Sequence, residues 1–206
     1  MREEILLRIH STASHVTTLG PGPRYVIWTQ GCPRRCPGCI SPESQPLDGG
    51  RSFTAAALAE RLLHSGDPAL TISGGEPFLQ CEGLCAVIDL VRRVRDLGII
   101  CYTGYTIEEL MAMHREAVDE LLKRLDVLID GPYIEALNDD LGLRGSSNQR
   151  AIFLTDRYRN ALEDFGRDHA RRLEYRIYED RFYAVGVPTR QNLHMITAEA
   201  EGNDAK

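Results

Sequence analysis

The stretch RYVIWTQGCPRRCPGCI, Arg24–Ile40, decides how this chain is read. Its first part is rich in β-branched and aromatic residues and follows the turn sequence GPGP, so Arg24–Gln30 reads as a strand. The strand runs into a loop carrying Cys32, Cys36 and Cys39 together with Pro33, Pro37 and Gly38. The C-x3-C-x2-C spacing lets three thiolates turn inward on one small object. A closed structural zinc site needs a fourth ligand, and the nearest histidines, His10 and His15, precede the strand. Cys36 and Cys39 alone have the C-x-x-C spacing of a redox pair, but Pro42 follows, no good helix begins there and Cys32 is left unexplained. A four-iron cluster held by three cysteines keeps one iron open to a substrate.

The rest of the composition sets bounds around that loop. At 206 residues, 43% hydrophobic and 26% charged, the chain is long enough for one domain with a real core. No apolar run reaches the ~18–20 residues of a membrane-spanning helix, so no membrane partner is expected. The start, MREEILLRIH, lacks the marks of a secretory signal, which with six cysteines implies a reducing, cytoplasmic setting. A net charge of −6 argues against nucleic acid as a partner. The arginine groups Arg92, Arg93, Arg95 and Arg171, Arg172 read as solvated helix faces.

Strand and helix signals alternate along the chain. Helices are expected over Phe53–Gly66, Cys81–Gly98 and Ile107–Leu125, the last opened by Thr106 with Glu109 in the pattern of a capping box. Strands are expected at Ala69–Ser73, Ile99–Thr103, Val127–Ile129 and Ala151–Thr155, with an irregular stretch over Pro42–Gly50. This alternation implies an α/β fold with a mainly parallel sheet, whose chemistry gathers at the carboxyl ends of the strands. The cysteine loop, Gly74–Pro77, Thr103–Tyr105 and Asp130–Tyr133 should therefore converge on one edge. Beyond this, Arg157–Arg172 looks helical and Leu173–Val187 looks like a hairpin with Tyr175, Ile177, Phe182 and Tyr183 available to pack. Ala198–Lys206 reads as a flexible acidic tail, and His194 has no assigned role. The organisation expected is residues 1–156 as the main body, 157–197 as an extension packed on it, and 198–206 as tail.

Ser73-Gly74-Gly75-Glu76-Pro77 is the second motif. Adjacent glycines after a strand let backbone approach a ligand closely, and with the cysteine loop one β–α unit upstream the pair is specific. Together they resemble the radical S-adenosylmethionine (SAM) superfamily. Within it, the chain is similar to the activating proteins of anaerobic (class III) ribonucleotide reductase. Four pieces carry the likeness: GPGPR at Gly20–Arg24, QGCPRRCPGC at Gln30–Cys39, YTGYTIEEL at Tyr102–Leu110, and DVLIDGPYIEAL…LRGSSNQR within Asp126–Arg150.

The resemblance implies a partial (βα)6 barrel with a small carboxyl-terminal extension, and one [4Fe–4S] cluster on Cys32, Cys36 and Cys39. No cysteine lies between Cys39 and Cys81 to hold a second cluster. SAM would bind the open iron, with Ser73, Gly74, Gly75 and Glu76 at its methionyl amino end and Gly38 and Ile40 shaping the cluster's surroundings. Thr103 and Asp130 would lie near SAM, and Ser146 and Asn148 would contact its ribose or methionine part. Related activases carry a lysine two residues after the aspartate, where this chain has Pro132, so Arg144 is the candidate for the SAM carboxylate. The implied partners are a glycyl-radical protein and a flavodoxin- or ferredoxin-type electron donor.

Plainer readings compete for single residues. Asp130 before Gly131-Pro132 could be only a turn residue, Ser146–Asn148 an ordinary polar loop, and Arg144 a surface ion pair. Tyr102 and Tyr105 would pack at the rim and Trp28 in the core, while Cys81, Cys85 and Cys101 read as small buried apolar residues. A radical SAM enzyme acting on a peptide or small metabolite is one alternative function, and a zinc- or cluster-holding interaction module is another.

Overall fold

The computed structural model describes residues 2–166, 169–178 and 181–193. The expected tail at 198–206, His194 and the side chain of Phe182 lie outside the described residues. The chain runs β1 (Leu6–Val16), β2 (Arg24–Thr29), β3 (Arg51–Thr54), α1 (Ala55–Ser65), β4 (Ala69–Gly74), α2 (Cys81–Arg92), β5 (Gly98–Tyr102), α3 (Ile107–Ala112), α4 (Glu116–Leu122), β6 (Val127–Asp130), β7 (Arg150–Phe153), α5 (Leu162–Phe165), β8 (Leu173–Tyr178) and β9 (Arg181–Gly186).

Seven strands form one mixed sheet in the order β3-β1-β2-β4-β5-β6-β7. β2, β4, β5 and β6 are parallel neighbours, while β1, β3 and β7 pair antiparallel at the flanks. The parallel strands read as continuous apolar runs because both their faces are covered. Leu70, Ile72, Ile99, Cys101 and Leu128 face a core shared with α1, α2 and α4, including Leu58, Leu62, Leu84, Ile88 and Leu121. Full burial of each such Leu or Ile contributes roughly 1.5–3 kcal/mol. The alternate residues Val26, Ile100, Val127 and Ile129 face the other side, where Leu143 and Val185 join them and Tyr158 and Phe165 pack alongside. Cys81, Cys85 and Cys101 are buried as expected.

Several elements differ from the sequence reading. β1 and β3 carry little strand signal, because only Leu7 and Ile9 of the long first strand alternate. Phe53 belongs to β3, and Thr54, which ends that strand, caps α1 by accepting from the Ala57 N–H. The second helix stops at Arg92, which leaves Val94 exposed. The third is two helices, parted where His114 takes φ of +48°. No glycine or proline marks that break. β7 runs antiparallel to β6 because its connection contains only a short 3-10 turn, Glu135–Leu137, and no crossover helix. Among its described residues, the stretch expected to be a helix over Arg157–Arg172 holds a turn at Arg159–Ala161 and the one-turn α5, as befits a charged segment with no apolar stripe. The hairpin of β8 and β9 is present as a separate two-stranded sheet.

Candidate active site

Four strand ends meet at one edge of the sheet, tied to one another by main-chain bonds. Gly75 N donates to Thr29 O at 2.8 Å and Glu76 N to Gly31 O at 2.8 Å, joining the GGEP turn to the start of the cysteine loop. Thr103 N donates to Ile129 O at 2.9 Å and Gly131 N to Tyr105 O at 2.8 Å, joining the ends of β5 and β6. Gly74 and Gly75 serve this junction directly. A Cβ on Gly74, whose φ is +97°, would stand 2.5 Å from the backbone N and O of Thr29, and one on Gly75 would stand 2.4 Å from Gly31 O. What approaches these glycines is backbone: the end of β2 at Gly74 and the start of the cysteine loop at Gly75. Ser73 contributes its carbonyl, which accepts from Thr29 Oγ1 at 3.1 Å.

Glu76 is fully buried and bonds in three directions. Its Oε1 accepts from Phe78 N at 3.0 Å and Thr103 Oγ1 at 2.8 Å, and its Oε2 accepts from Gly104 N at 2.9 Å. It is thus a strut between β4 and β5. Burial pushes its pKa up to about 7, against the pull of those donors and of Arg34. Thr103, also buried, accepts from Tyr105 N at 3.1 Å, so its hydroxyl is engaged on both sides.

The cysteine loop turns twice through left-handed conformations, at Arg35 with φ +46° and Gly38 with φ +67°. Its entry is fixed by Gly31 N to Ser44 O at 2.7 Å and Cys32 N to Gln45 O at 2.9 Å. Cys32, Cys36 and Cys39 are free, partly exposed thiols. Burial pushes the Cys32 thiol up, while the main-chain N–H groups of Arg34 and Arg35, hydrogen-bonded to its sulfur, favour thiolate. Arg34 stacks over Tyr105 at 4.4 Å from the ring centre and pairs with Glu109 at 2.6 Å, pinning the loop to the start of α3. The Glu135 carboxylate packs on Gly38, where a Cβ would come within 2.9 Å of it. Ile40 stands exposed on the same loop. Sequence reasoning passed over Arg34 and Glu135, since nothing in their spacing distinguishes them from surface charges.

Asp130 is buried, and Arg150 is the cation beside it, with Nη2 at 2.5 Å and Nε at 3.0 Å; Asp130 also accepts from Ile107 N at 2.8 Å. The RGSSNQ run folds back on the segment after β6. Ser146 Oγ donates to Asn148 Oδ1 at 2.7 Å and accepts from Ile134 N at 3.1 Å, while Asn148 Nδ2 donates to Pro132 O at 2.8 Å. Gln149 accepts from Gly145 N at 2.7 Å and donates to Gly131 O at 2.8 Å. Arg144 pairs with Asp139 at 2.7 Å, and its Nε–H is buried without a partner among the described residues. A cavity of about 240 Å³ adjoins it, lined in part by Ser147, Gln149 and Arg150.

Among the described residues no three His, Cys, Asp or Glu side chains are gathered as a single metal ion would require. Three free thiols on an open loop, with main-chain donors aimed at the Cys32 sulfur, instead suit a cube of iron and sulfide that spreads its ligands. The fold and site therefore define an α/β iron–sulfur protein with one cluster loop. Residues 18–152 match the family model described as the 4Fe-4S single cluster domain, and the chain belongs to that family, among its radical SAM activating proteins. It is 33% identical over 140 residues to the anaerobic ribonucleoside-triphosphate reductase-activating protein of Escherichia coli (strain K12), covering 63% of this chain and 88% of that one. The protein of that name from Enterobacteria phage T4 is 34% identical over 143 residues, covering 66% and 88%. The pyruvate formate-lyase-activating enzyme of Clostridium pasteurianum is 35% identical over 144 residues, covering 66% of this chain and 56% of that one. The crystal structure of QueE from Escherichia coli overlaps 51% of this chain and 56% of that chain, with TM-score 0.43 and 17% identity. The cofactors are a [4Fe–4S] cluster and SAM. No helix among the described residues is long and apolar enough to cross a membrane.

Proposed function

We propose that this protein is a cytoplasmic radical SAM activase that installs a glycyl radical on a partner enzyme such as an anaerobic ribonucleotide reductase. Its electron would come from a flavodoxin- or ferredoxin-type donor. Held by Cys32, Cys36 and Cys39, the cluster would supply one electron for the reductive cleavage of SAM, the chemistry by which hydrogen would be taken from the partner. The observation that carries the reading is the junction of three free thiols with the GGEP turn, strand end to strand end, in a chain of this family. The mixed sheet is read as a shortened form of the partial (βα)6 barrel, with its three parallel pairs forming the wall beside SAM.

The chain's own residues have separable tasks in this scheme. Cys32, Cys36 and Cys39 ligate the cluster, and the Gly38 turn under Glu135 fixes the spacing of the last two. Ser73, Gly74 and Gly75 offer backbone to the methionyl amino end, while Glu76 and Thr103 hold that backbone in place. Arg144 faces the SAM carboxylate; its unpaired, buried Nε–H and the adjoining cavity support this. Ser146 and Asn148 shape the same wall, and Asp130 orients it through Arg150. Ile40, Leu79, Ile134 and Leu137 are exposed around these strand ends, an apolar rim suited to a polypeptide substrate.

The test is anaerobic. Reconstituted protein with SAM and dithionite should form 5′-deoxyadenosine, Cys36→Ala should not, and a glycyl-radical reductase added to the wild type should show the radical's EPR doublet. Deoxyadenosine without a doublet on any glycyl-radical partner would overturn the activase reading and leave a radical SAM enzyme of other substrate.

A further inference from the structure

The segment after residue 156 lies beyond the family match, which ends at 152, and the sequence reading placed Arg171 on a solvated helix face. The structure does the opposite with it. The Arg171 side chain is 1% exposed. Its Nη1 donates to Asn138 Oδ1 at 2.8 Å and Pro188 O at 2.9 Å, and its Nη2 to Leu141 O at 3.3 Å, Arg144 O at 2.5 Å and Gly145 O at 3.1 Å. Asp139 and Asp140 lie 3.7 and 3.6 Å away. One cation thereby gathers the whole stretch 138–145, which leads into the RGSSNQ run. Neighbouring bonds repeat the pattern: Gly142 N donates to His169 O at 2.9 Å, Arg190 N to Asp140 Oδ1 at 2.7 Å, and Leu141 pairs with Ala170.

We propose that Arg171 is a positioning residue of the SAM site, through which the carboxyl-terminal segment sets the loop bearing Arg144, Ser146 and Asn148. The inference rests on the reading of Arg144 above. The stretch 138–145 includes no helix or strand of the main sheet, so its carbonyls depend on outside donors. Arg171 supplies five contacts from one planar fork, a geometry that lysine, with three donors at a single point, does not reproduce. Asp139 is shared between Arg144 and Arg171, so the brace also fixes which way the Arg144 guanidinium faces.

Three variants test this: Arg171→Ala, Arg171→Lys, and Arg176→Ala as a control. Arg176 binds Ser14 O, His15 O and Glu174, anchoring the hairpin to β1, and none of these described partners belongs to the loop. Two quantities are read on anaerobic, cluster-loaded protein: hydrogen exchange of peptides covering 138–149, and SAM affinity from its perturbation of the reduced cluster's EPR signal. Arg171→Ala should speed exchange in 138–149 and weaken SAM binding about tenfold, the scale of one well-placed interaction, with Arg171→Lys between it and wild type. Arg176→Ala should lower Tm yet leave both quantities unchanged. Unchanged exchange in both Arg171 variants, or equal loosening by Arg176→Ala, overturns the brace. Faster exchange with unaltered SAM affinity overturns the positioning role. A wild type that binds no SAM overturns the functional reading itself, while the exchange data still decide whether Arg171 braces the loop.

Discussion

Glu76→Gln is the substitution that most directly tests how the junction is held. The carboxyl has an ordinary pKa of 4.5 and is raised to about 7 by burial. Its pKa is higher folded than unfolded, so the stability it contributes is fully present below 4.5 and lost as pH rises through about 7. At about 1.4 kcal/mol per unit this amounts to about 3 kcal/mol. For a chain of this size that is about 6–12 °C in Tm. Glutamine has no such titration. It keeps the bonds from Phe78 N and Thr103 Oγ1 but turns an amide N–H toward Gly104 N, opposing two buried donors at a cost of roughly 1–3 kcal/mol. The variant should therefore be less stable than wild type at pH 5 and draw level or overtake it by pH 8. Thermal unfolding of both proteins, anaerobically and in the same cluster state, measures the difference. Parallel Tm-against-pH curves for the two proteins would refute a titrating strut at this position.

Other substitutions separate the parts of the site. Gly75→Ala puts a methyl 2.4 Å from Gly31 O, a backbone-on-backbone clash, and should cost about 1–3 kcal/mol and reduce retained iron, read by denaturation and metal analysis. Arg24→Met removes a fully buried guanidinium that donates to Thr71 Oγ1 at 2.7 Å, Leu70 O at 3.0 Å and Pro21 O at 2.9 Å. It should destabilise by roughly 3 kcal/mol in chemical denaturation while leaving SAM affinity intact, because Arg24 opens β2 at the end far from the site. Arg34→Ala frees Tyr105 and Glu109 and should cost no more than about 1 kcal/mol in stability, yet broaden the cluster's EPR lines by loosening the loop.

The parts of the fold visible in the sequence are those whose signal is local. β4, β5 and β6 are short runs of apolar residues between turn residues, and the loops after them carry the motifs. Thr106 and Glu109 form the capping box their spacing announces. The elements without a local signal depend on partners distant in sequence. β1 is specified by β2 and β3 on either side of it, and the break at His114 by where α4 must bury Val118 and Leu121. Arg171 looks like one of two adjacent surface arginines until its five acceptors, 17 to 33 residues away, are seen. At the site, the cysteine spacing is legible because all three cysteines lie within one loop. The tasks of Glu76, Ser146 and Asn148 are not, because their polar atoms answer main-chain groups from other segments.

Glu76, Thr103, Ser146, Asn148 and Gln149 spend their hydrogen-bonding groups on protein, chiefly on main chain of neighbouring loops. Gly74 and Gly75 have no side chain because another backbone lies against them. On the proposed reading a bound cofactor would meet mostly peptide groups and a few cations, with the motif side chains standing behind. Such a surface suits a ligand carrying an ammonium, a carboxylate and a sulfonium in close succession, since carbonyl and N–H groups of fixed direction recognise charge without themselves titrating near neutral pH. It also predicts how substitutions divide. Changes at Cys32, Cys36 or Cys39 should abolish the cluster outright. Changes at Glu76, Asn148 or Gln149 should act by moving backbone, so conservative variants such as Asn148→Asp, which replaces the amide donor to Pro132 O, should weaken SAM binding as strongly as alanine. If Asn148→Asp binds SAM as tightly as wild type while Asn148→Ala does not, the side chain touches the ligand through its oxygen, and the reading of it as a backbone support is wrong.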